Sequence, residues 1–394
     1  MSDLTPMSVE VPQSRLQDLS TRLKRAHLPE DYANADWAYG TNGDYLHRLV
    51  DYWIHGFDWR QQERAMNTFS HFRVRIEDLP IHFILERGVG PSPLPLILSH
   101  GWPWTFWDFK EVIRPLSDPG SFGGDPADAF DIVVPSLPGY VFSTPVTRPG
   151  VNWWTTADLW AALMTDILGY DRFGAHGSDW GAAISLQLGH KYFERLVGVH
   201  TTVAAPLSIF SGDRPWDFVG DMLSGADDST RSDLLAYDRR IAAHVAVHIL
   251  SPQTIGYGLH DSPAGLCAWL VERRRAWSDC GGDVERCFSR DDLLTHTSLY
   301  WLTDSFTTSV RYYHEAAARP WRASHGRTPA VQAPVGFTLF PRDAPVPPEE
   351  YLGQAYDMRF HRVRQHGGHF AAAEQPEAII EDLREMFRPL RPGG

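Results

Sequence analysis

Hydrophobic positions change their spacing several times along the chain, and each change predicts an element. Between Val11 and Leu28, Leu16, Leu19, Leu23 and Ala26 recur at helical spacing with Arg and Lys between them, and Pro29 ends the helix. Asn42 to Trp59 and Trp59 to Ser70 read as two more helices. Arg73 to Ile76 and Ile81 to Leu85 alternate around Asp78-Leu79-Pro80, which predicts a β-hairpin. From Leu94 the pattern shifts to short apolar runs. Leu94 to Ser99, Phe130 to Val134, Arg172 to His176 and Leu196 to His200 read as buried strands, with a helix over Thr156 to Leu168. Strands alternating with helices predict a mostly parallel sheet with crossover helices, whose sites lie at the carboxyl ends of the strands.

From Ala205 to about Ala330 the strands stop and helical segments take over, at Asp233 to Ile249, Ala264 to Trp277 and Arg290 to Ala318. Val335 to Phe340 and Arg359 to Arg364 resume the sheet, and Pro376 to Phe387 closes the chain as a helix. The expected organisation is an N-terminal domain over 1–90, a core split between 91–205 and 331–394, and a helical lid over 206–330. No internal repeat or low-complexity run interrupts it.

Composition narrows the function classes. A formal charge of −13 over 394 residues argues against nucleic acid or an anionic membrane as partner, since both need clustered Lys and Arg. Met1 to Gln13 has no basic start and no apolar core, which with the absence of a long apolar run predicts a cytoplasmic protein. Cys267, Cys280 and Cys287 fit neither a zinc site nor a disulfide framework. Fifteen Trp point to an aromatic-lined pocket.

The candidate chemistry centres on Gly177-Ser178-Asp179-Trp180-Gly181, between the strand ending at His176 and a helix rich in Ala, Ile and Leu. Small residues flanking a central one at this junction form a strand-to-helix elbow that holds the central side chain up in a strained turn. That residue is Asp179. Framing the elbow on Ser178 would place bulky His176 and Trp180 where the turn needs small residues, and the plainer alternative makes Asp179 a helix cap. A carboxylate nucleophile attacks an sp3 carbon and leaves an alkyl ester for water to cleave, which fits epoxides and haloalkanes.

Further motifs complete a resemblance that covers nearly the whole chain. They are Leu-x-Asp-Leu-x-x-Arg-Leu with Leu28-Pro29, His100-Gly101-Trp102-Pro103, Pro135-Ser136-Leu137-Pro138-Gly139-Tyr140, the elbow, Asp261-Ser262-Pro263, Phe288 to Thr295 and Gly367-Gly368-His369-Phe370-Ala371-Ala372. In this order they resemble the microsomal-type epoxide hydrolases. The resemblance implies an α/β-hydrolase fold with an N-terminal helical extension, and conversion of an epoxide to a vicinal diol by water, without metal or organic cofactor.

By the same resemblance, His369 matches the general base and Asp343 the acid that orients it, with Glu349 and Glu350 as competitors for the acid. His366 could pair with His369 on a metal, but no carboxylate or cysteine stands at ligand spacing. Backbone N–H groups of Trp102 and Trp180 resemble the oxyanion donors. Tyr313 matches one of two lid tyrosines that donate to the epoxide oxygen, with Tyr312 one residue away. The other tyrosine position falls on His244, which either substitutes as a donor or pairs with His248 on a helix face. Two readings compete: a haloalkane dehalogenase, and a lid-modified member that handles a biosynthetic intermediate without hydrolysis. A homodimer is left open.

Overall fold

A computed structural model describes residues 4–219, 223, 226–345 and 349–391. Strand β1 (Thr5–Met7) precedes helices α1 (Gln13–Lys24), α2 (Gly43–His55) and α3 (Trp59–Met66), then the hairpin of β2 (His71–Ile76) and β3 (Leu79–Glu86). Next come β4 (Leu94–Ser99), α4 (Lys110–Ser117), β5 (Phe130–Pro135), α5 (Trp153–Ala162), β6 (Phe173–Gly177), α6 (Trp180–Lys191) and β7 (Leu196–Thr201). Among the described residues there follow α7 (Asp228–Leu250), α8 (Pro252–Asp261), α9 (Pro263–Trp277), α10 (Arg290–Leu302) and α11 (Phe306–Ala317). The chain ends with β8 (Val331–Leu339), α12 (Glu349–Ala355), β9 (Tyr356–Val363), α13 (Ala371–Glu374) and α14 (Pro376–Phe387).

The strands form one sheet in the order β1-β2-β3-β5-β4-β6-β7-β8-β9. The first three and the β3–β5 pair are antiparallel; from β5 to β9 all neighbours are parallel. Strand β4 lies mid-sheet, with Leu96 opposite both Ile132 and Gly174. Leu96, Ile97 and Leu98 are fully buried, as the unbroken apolar run requires of a strand covered on both faces. Each such side chain contributes about 1.5–3 kcal/mol through burial. The turns after β4, β6, β8 and β9 open at one edge of the sheet, and the α7–α11 insertion lies between β7 and β8.

Several predicted boundaries need correction. The single helix read over Arg290 to Ala318 is two, because Asp304 takes a left-handed backbone conformation (φ 56°) and turns the chain between α10 and α11. The helix read from Thr156 begins at Trp153, where Asn152 and Thr155 form a reciprocal cap, and passes into a π-turn over Leu163–Ile167. Helices α4 and α8 escaped notice because Pro115 interrupts one pattern and Gly256 and Gly258 dilute the other. Helices α1 and α3 are shorter than read, ending at Lys24 and Met66.

The N-terminal helices brace the insertion. Arg15 donates to the carbonyls of Trp301 and Leu302 at the end of α10. Thr41 Oγ1 donates to Ala268 O at 2.7 Å, and Tyr52 Oη to Asp291 at 2.9 Å. Among the described residues no helix is long and apolar enough to cross a membrane.

Candidate active site

Strand β6 turns into α6 through Asp179, whose φ of 55° and ψ of −124° are strained for a residue with a side chain. Such a conformation costs on the order of 1–3 kcal/mol and persists where its surroundings dictate it. Here the flanking glycines dictate it. A Cβ on Gly177 would fall 2.1 Å from Gly181 O, and one on Gly181 would fall 1.9 Å from Ser99 O. Asp179 caps no helical N–H with its side chain, so the carboxylate stands free of the helix it precedes. Ser178 points the other way: its Oγ shares a hydrogen bond of 2.6 Å with Thr202 Oγ1, and the residue is 1% exposed.

The loop after β4 meets that carboxylate. Trp102 N–H donates to Asp179 Oδ1 at 2.8 Å. Beneath it, His100 Nδ1 lies 2.9 Å from Gly101 O, and Nε2 lies 3.1 Å from Leu137 N. One neutral tautomer satisfies both, with Nδ1–H donating to Gly101 and Nε2 accepting from Leu137. Burial lowers the His100 pKa to about 4 and keeps that form at neutral pH.

The loop after β9 supplies His369 and the turn after β8 supplies Asp343. His369 Nδ1 lies 2.8 Å from Asp343 Oδ1. Its Nε2 lies 3.4 Å from Asp179 Oδ2, an ion-pair contact without hydrogen-bond alignment. Burial opposes the imidazolium, but the charges of Asp343 and Asp179, with the hydrogen bond to Asp343, outweigh it and raise the pKa to about 10. The free site therefore holds a cation between two carboxylates. The side chains of Glu349 and Glu350, the competitors for Asp343, lie outside the described residues.

Helices α7 and α11 close the opposite wall. His244 and Tyr313 are both buried, with Tyr313 Oη 3.4 Å from His244 Nε2. The His244 ring stacks on Trp102 at 5.3 Å and 8°, and Tyr313 packs edge-on against Trp180 at 4.6 Å. Burial keeps His244 neutral, with the neighbouring His248 and Arg273 adding to the effect. Burial, then the charge of Asp179, raise Tyr313 well above its ordinary value, so its hydroxyl keeps its proton. The neighbouring tyrosine faces elsewhere: Tyr312 Oη bonds Thr156 Oγ1 at 2.7 Å. His248 does lie against His244, with ring centroids 5.5 Å apart as the i, i+4 spacing anticipates, and it is fully buried and packed at 4.5 Å against Trp102.

Asp179, His369, Asp343, Trp102, Trp180, His244 and Tyr313 thus converge. Trp277 was missed. Its ring lies 5.2 Å from that of His369 and 4.7 Å from that of His244, edge-on to one and tilted to the other. As the last residue of a helix whose apolar and charged residues sort onto no single face, it carried no signal that set it apart. Phe210, 4.8 Å from Trp180, was likewise unmarked.

Comparison with known proteins places the chain in a family. Residues 4–109 match the family model described as epoxide hydrolase N terminus, and residues 95–237 match that for the alpha/beta hydrolase fold. The chain is 38% identical to a Stigmatella aurantiaca protein named for epoxide hydrolysis, over 98% of this chain and 86% of the other. It is 32% identical to epoxide hydrolase 1 of Oryctolagus cuniculus, over 96% and 88%. The solved structure of Aspergillus niger epoxide hydrolase superposes with a TM-score of 0.82 at 27% identity, covering 99% of this chain and 97% of that one. Fold and relatives agree, and the chain belongs to the epoxide hydrolases of the α/β-hydrolase fold.

Proposed function

We propose that Asp179 opens the epoxide and that His369, oriented by Asp343, drives hydrolysis of the ester this leaves on the enzyme. One carboxylate is held from two sides, by Trp102 N–H at 2.8 Å and by His369 Nε2 at 3.4 Å, and that observation carries the assignment. The oxygen not held by Trp102 attacks an epoxide carbon. As the ring C–O bond breaks, its electron pair goes to the epoxide oxygen, to which Tyr313 Oη and His244 donate. A positioned acid of this kind contributes roughly a hundredfold to ten-thousandfold.

Esterification removes the charge of Asp179, one of the two that hold His369 protonated, so the imidazolium gives up a proton, which balances the one the new alkoxide takes up, and the neutral imidazole is then the base. Neutral His369 takes a proton from water, whose oxygen attacks Cγ of the Asp179 ester. The tetrahedral oxyanion rests on the N–H of Trp102 and of Trp180, each worth about 3 kcal/mol of barrier. Its collapse expels the diol oxygen, which takes the proton from His369, and leaves Asp179 as a carboxylic acid with one oxygen from water, whose proton passes to His369 and restores the starting pair.

The insertion over 206–330 acts as the lid that brings His244 and Tyr313 to the core of 91–205 and 331–394, with 1–90 as the domain that supports it. Trp102, Trp180, Trp277 and Phe210 around the site favour a bulky, aryl-substituted epoxide. The three cysteines are free, which suits a reducing compartment and a cytoplasmic enzyme. A hydroxyl and an imidazole suit a developing alkoxide, so the dehalogenase and non-hydrolytic readings draw no support here.

Intact-protein mass spectrometry of His369→Gln exposed to a panel of aryl epoxides and haloalkanes tests the assignment. With hydrolysis blocked, the protein should gain the mass of a whole epoxide and lose that gain when Asp179→Asn is added. An adduct that persists without Asp179, a gain lacking the halide, or no adduct from any compound would each overturn it.

A further inference from the structure

Two carboxylates outside the triad join the general-base loop to the insertion. Glu374 in α13 accepts Phe370 N–H on Oε1 and Asp279 N–H on Oε2, both at 2.8 Å. Asp279, two residues past α9, accepts Gly367 N–H on Oδ2 at 3.0 Å, and its Oδ1 lies 3.6 Å from Arg342 Nε beside Asp343. Between these, His369 N–H donates to Trp277 O at 2.9 Å. The two backbones run so close that a Cβ on Gly368 would fall 2.6 Å from Trp277 O. The backbone N–H groups of Gly367, His369 and Phe370 therefore all find their acceptors beyond the loop's own turn: two on the segment that ends α9 and one on Glu374, which also holds that segment.

We propose that Glu374 and Asp279 are positioning residues that fix the imidazole of His369 against the ester, by locking its loop to the segment Trp277 to Asp279. Neither touches a reacting atom. Glu374 spans the joint, since its two oxygens each hold one side of it, and an amide at this position would turn an N–H donor toward a backbone N–H. Asp279 holds the loop from the other end and reaches the turn that carries Asp343. Because His369 acts on the ester and not on the epoxide, loosening this joint slows hydrolysis and spares ring opening.

This rests on His369 being the base, and the experiment separates the two ideas. Single-turnover quench with styrene oxide, read by intact mass, gives the rates of ester formation and ester loss for the parent, His369→Gln, Glu374→Gln and Asp279→Ala. Glu374→Gln should form ester within twofold of the parent rate and lose it at least tenfold more slowly. Asp279→Ala, which removes the acceptor of Gly367 N–H and the contact with Arg342, should show the same split and serves in its place if Glu374→Gln does not fold. Equal slowing of both steps would mark a merely structural role and overturn the proposal, as would ester loss within twofold of the parent. If ester accumulates in His369→Gln while both carboxylate variants turn over normally, the clamp alone is wrong; if no ester accumulates there, the role of His369 fails first.

Discussion

The carboxylate of Asp179 occupies the space that a side chain on Gly101 would need. A Cβ built on Gly101 falls 2.1 Å from Asp179 Oδ1 and 2.3 Å from Asp179 Cβ. The glycine in the loop after β4 is thus a requirement of the nucleophile and not of the loop alone. Gly101→Ala is expected to push the carboxylate off Trp102 N–H. A displacement near 1 Å costs about a hundredfold in rate. Ester formation in single-turnover assays should fall by that order with the circular dichroism spectrum intact; near-parental rates would contradict the packing.

The wall formed by α7 and α11 makes a separate prediction. Tyr313→Phe and His244→Phe should each slow ester formation by about ten- to a hundredfold while ester loss stays near the parental rate, because the donors act only on ring opening. The double variant should fall short of the product of the two, since the groups share one contact. Tyr312→Phe is the control. Its hydroxyl shares a hydrogen bond with Thr156 Oγ1, so the variant should lose about 1 kcal/mol of stability and little rate.

What the sequence disclosed and what it hid follow from distance along the chain. The elbow was legible because Gly177, Asp179 and Gly181 are neighbours whose steric demands are local, and the loop around His369 was legible because Gly367-Gly368-His369-Phe370 resembles the motif that carries the general base. The parallel core was legible because strands buried on both faces read as unbroken apolar runs. The break at Asp304 was not, since a left-handed residue inside an apolar helical pattern leaves no periodic trace. Trp277 was not, because its importance comes from His369 and His244, which lie far from it in the chain.

The buried ion pair of Asp108 and Arg274 was equally hidden and leads to a stability prediction. Arg274 in α9 donates to both oxygens of Asp108, at 2.6 and 3.0 Å, and reaches Pro103 O at 3.4 Å. The side chains are 3% and 0% exposed. Burial raises the Asp108 pKa, but Arg274 outweighs it and holds the carboxylate ionised. Removing one partner of such a pair leaves the other charge uncompensated and costs about 3–5 kcal/mol. Asp108→Asn should lose stability of that order in urea unfolding, and pairing it with Arg274→Met should recover part of it. A loss below about 1 kcal/mol would show that solvent or another group compensates Arg274.

The last prediction concerns the proton on His369. Its pKa in the folded protein, about 10, lies above the ordinary 6.5 because Asp343 and Asp179 flank it. A group whose pKa is raised on folding binds its proton more tightly in the native state. The resulting stability is complete below about pH 6.5 and is lost as pH rises toward 10. Parent and His369→Gln should therefore differ most in Tm near pH 6 and converge toward pH 10. The same balance predicts the effect of losing one carboxylate. Asp179→Asn replaces the nucleophile by a neutral isostere, as esterification does, and should bring the imidazole pKa down when followed by NMR titration. Asp343→Asn should lower it as well, since the charge of Asp343 is the largest influence raising it. A His369 pKa unmoved in Asp179→Asn would mean that the ester leaves the base protonated, and the switch from imidazolium to base would need another cause.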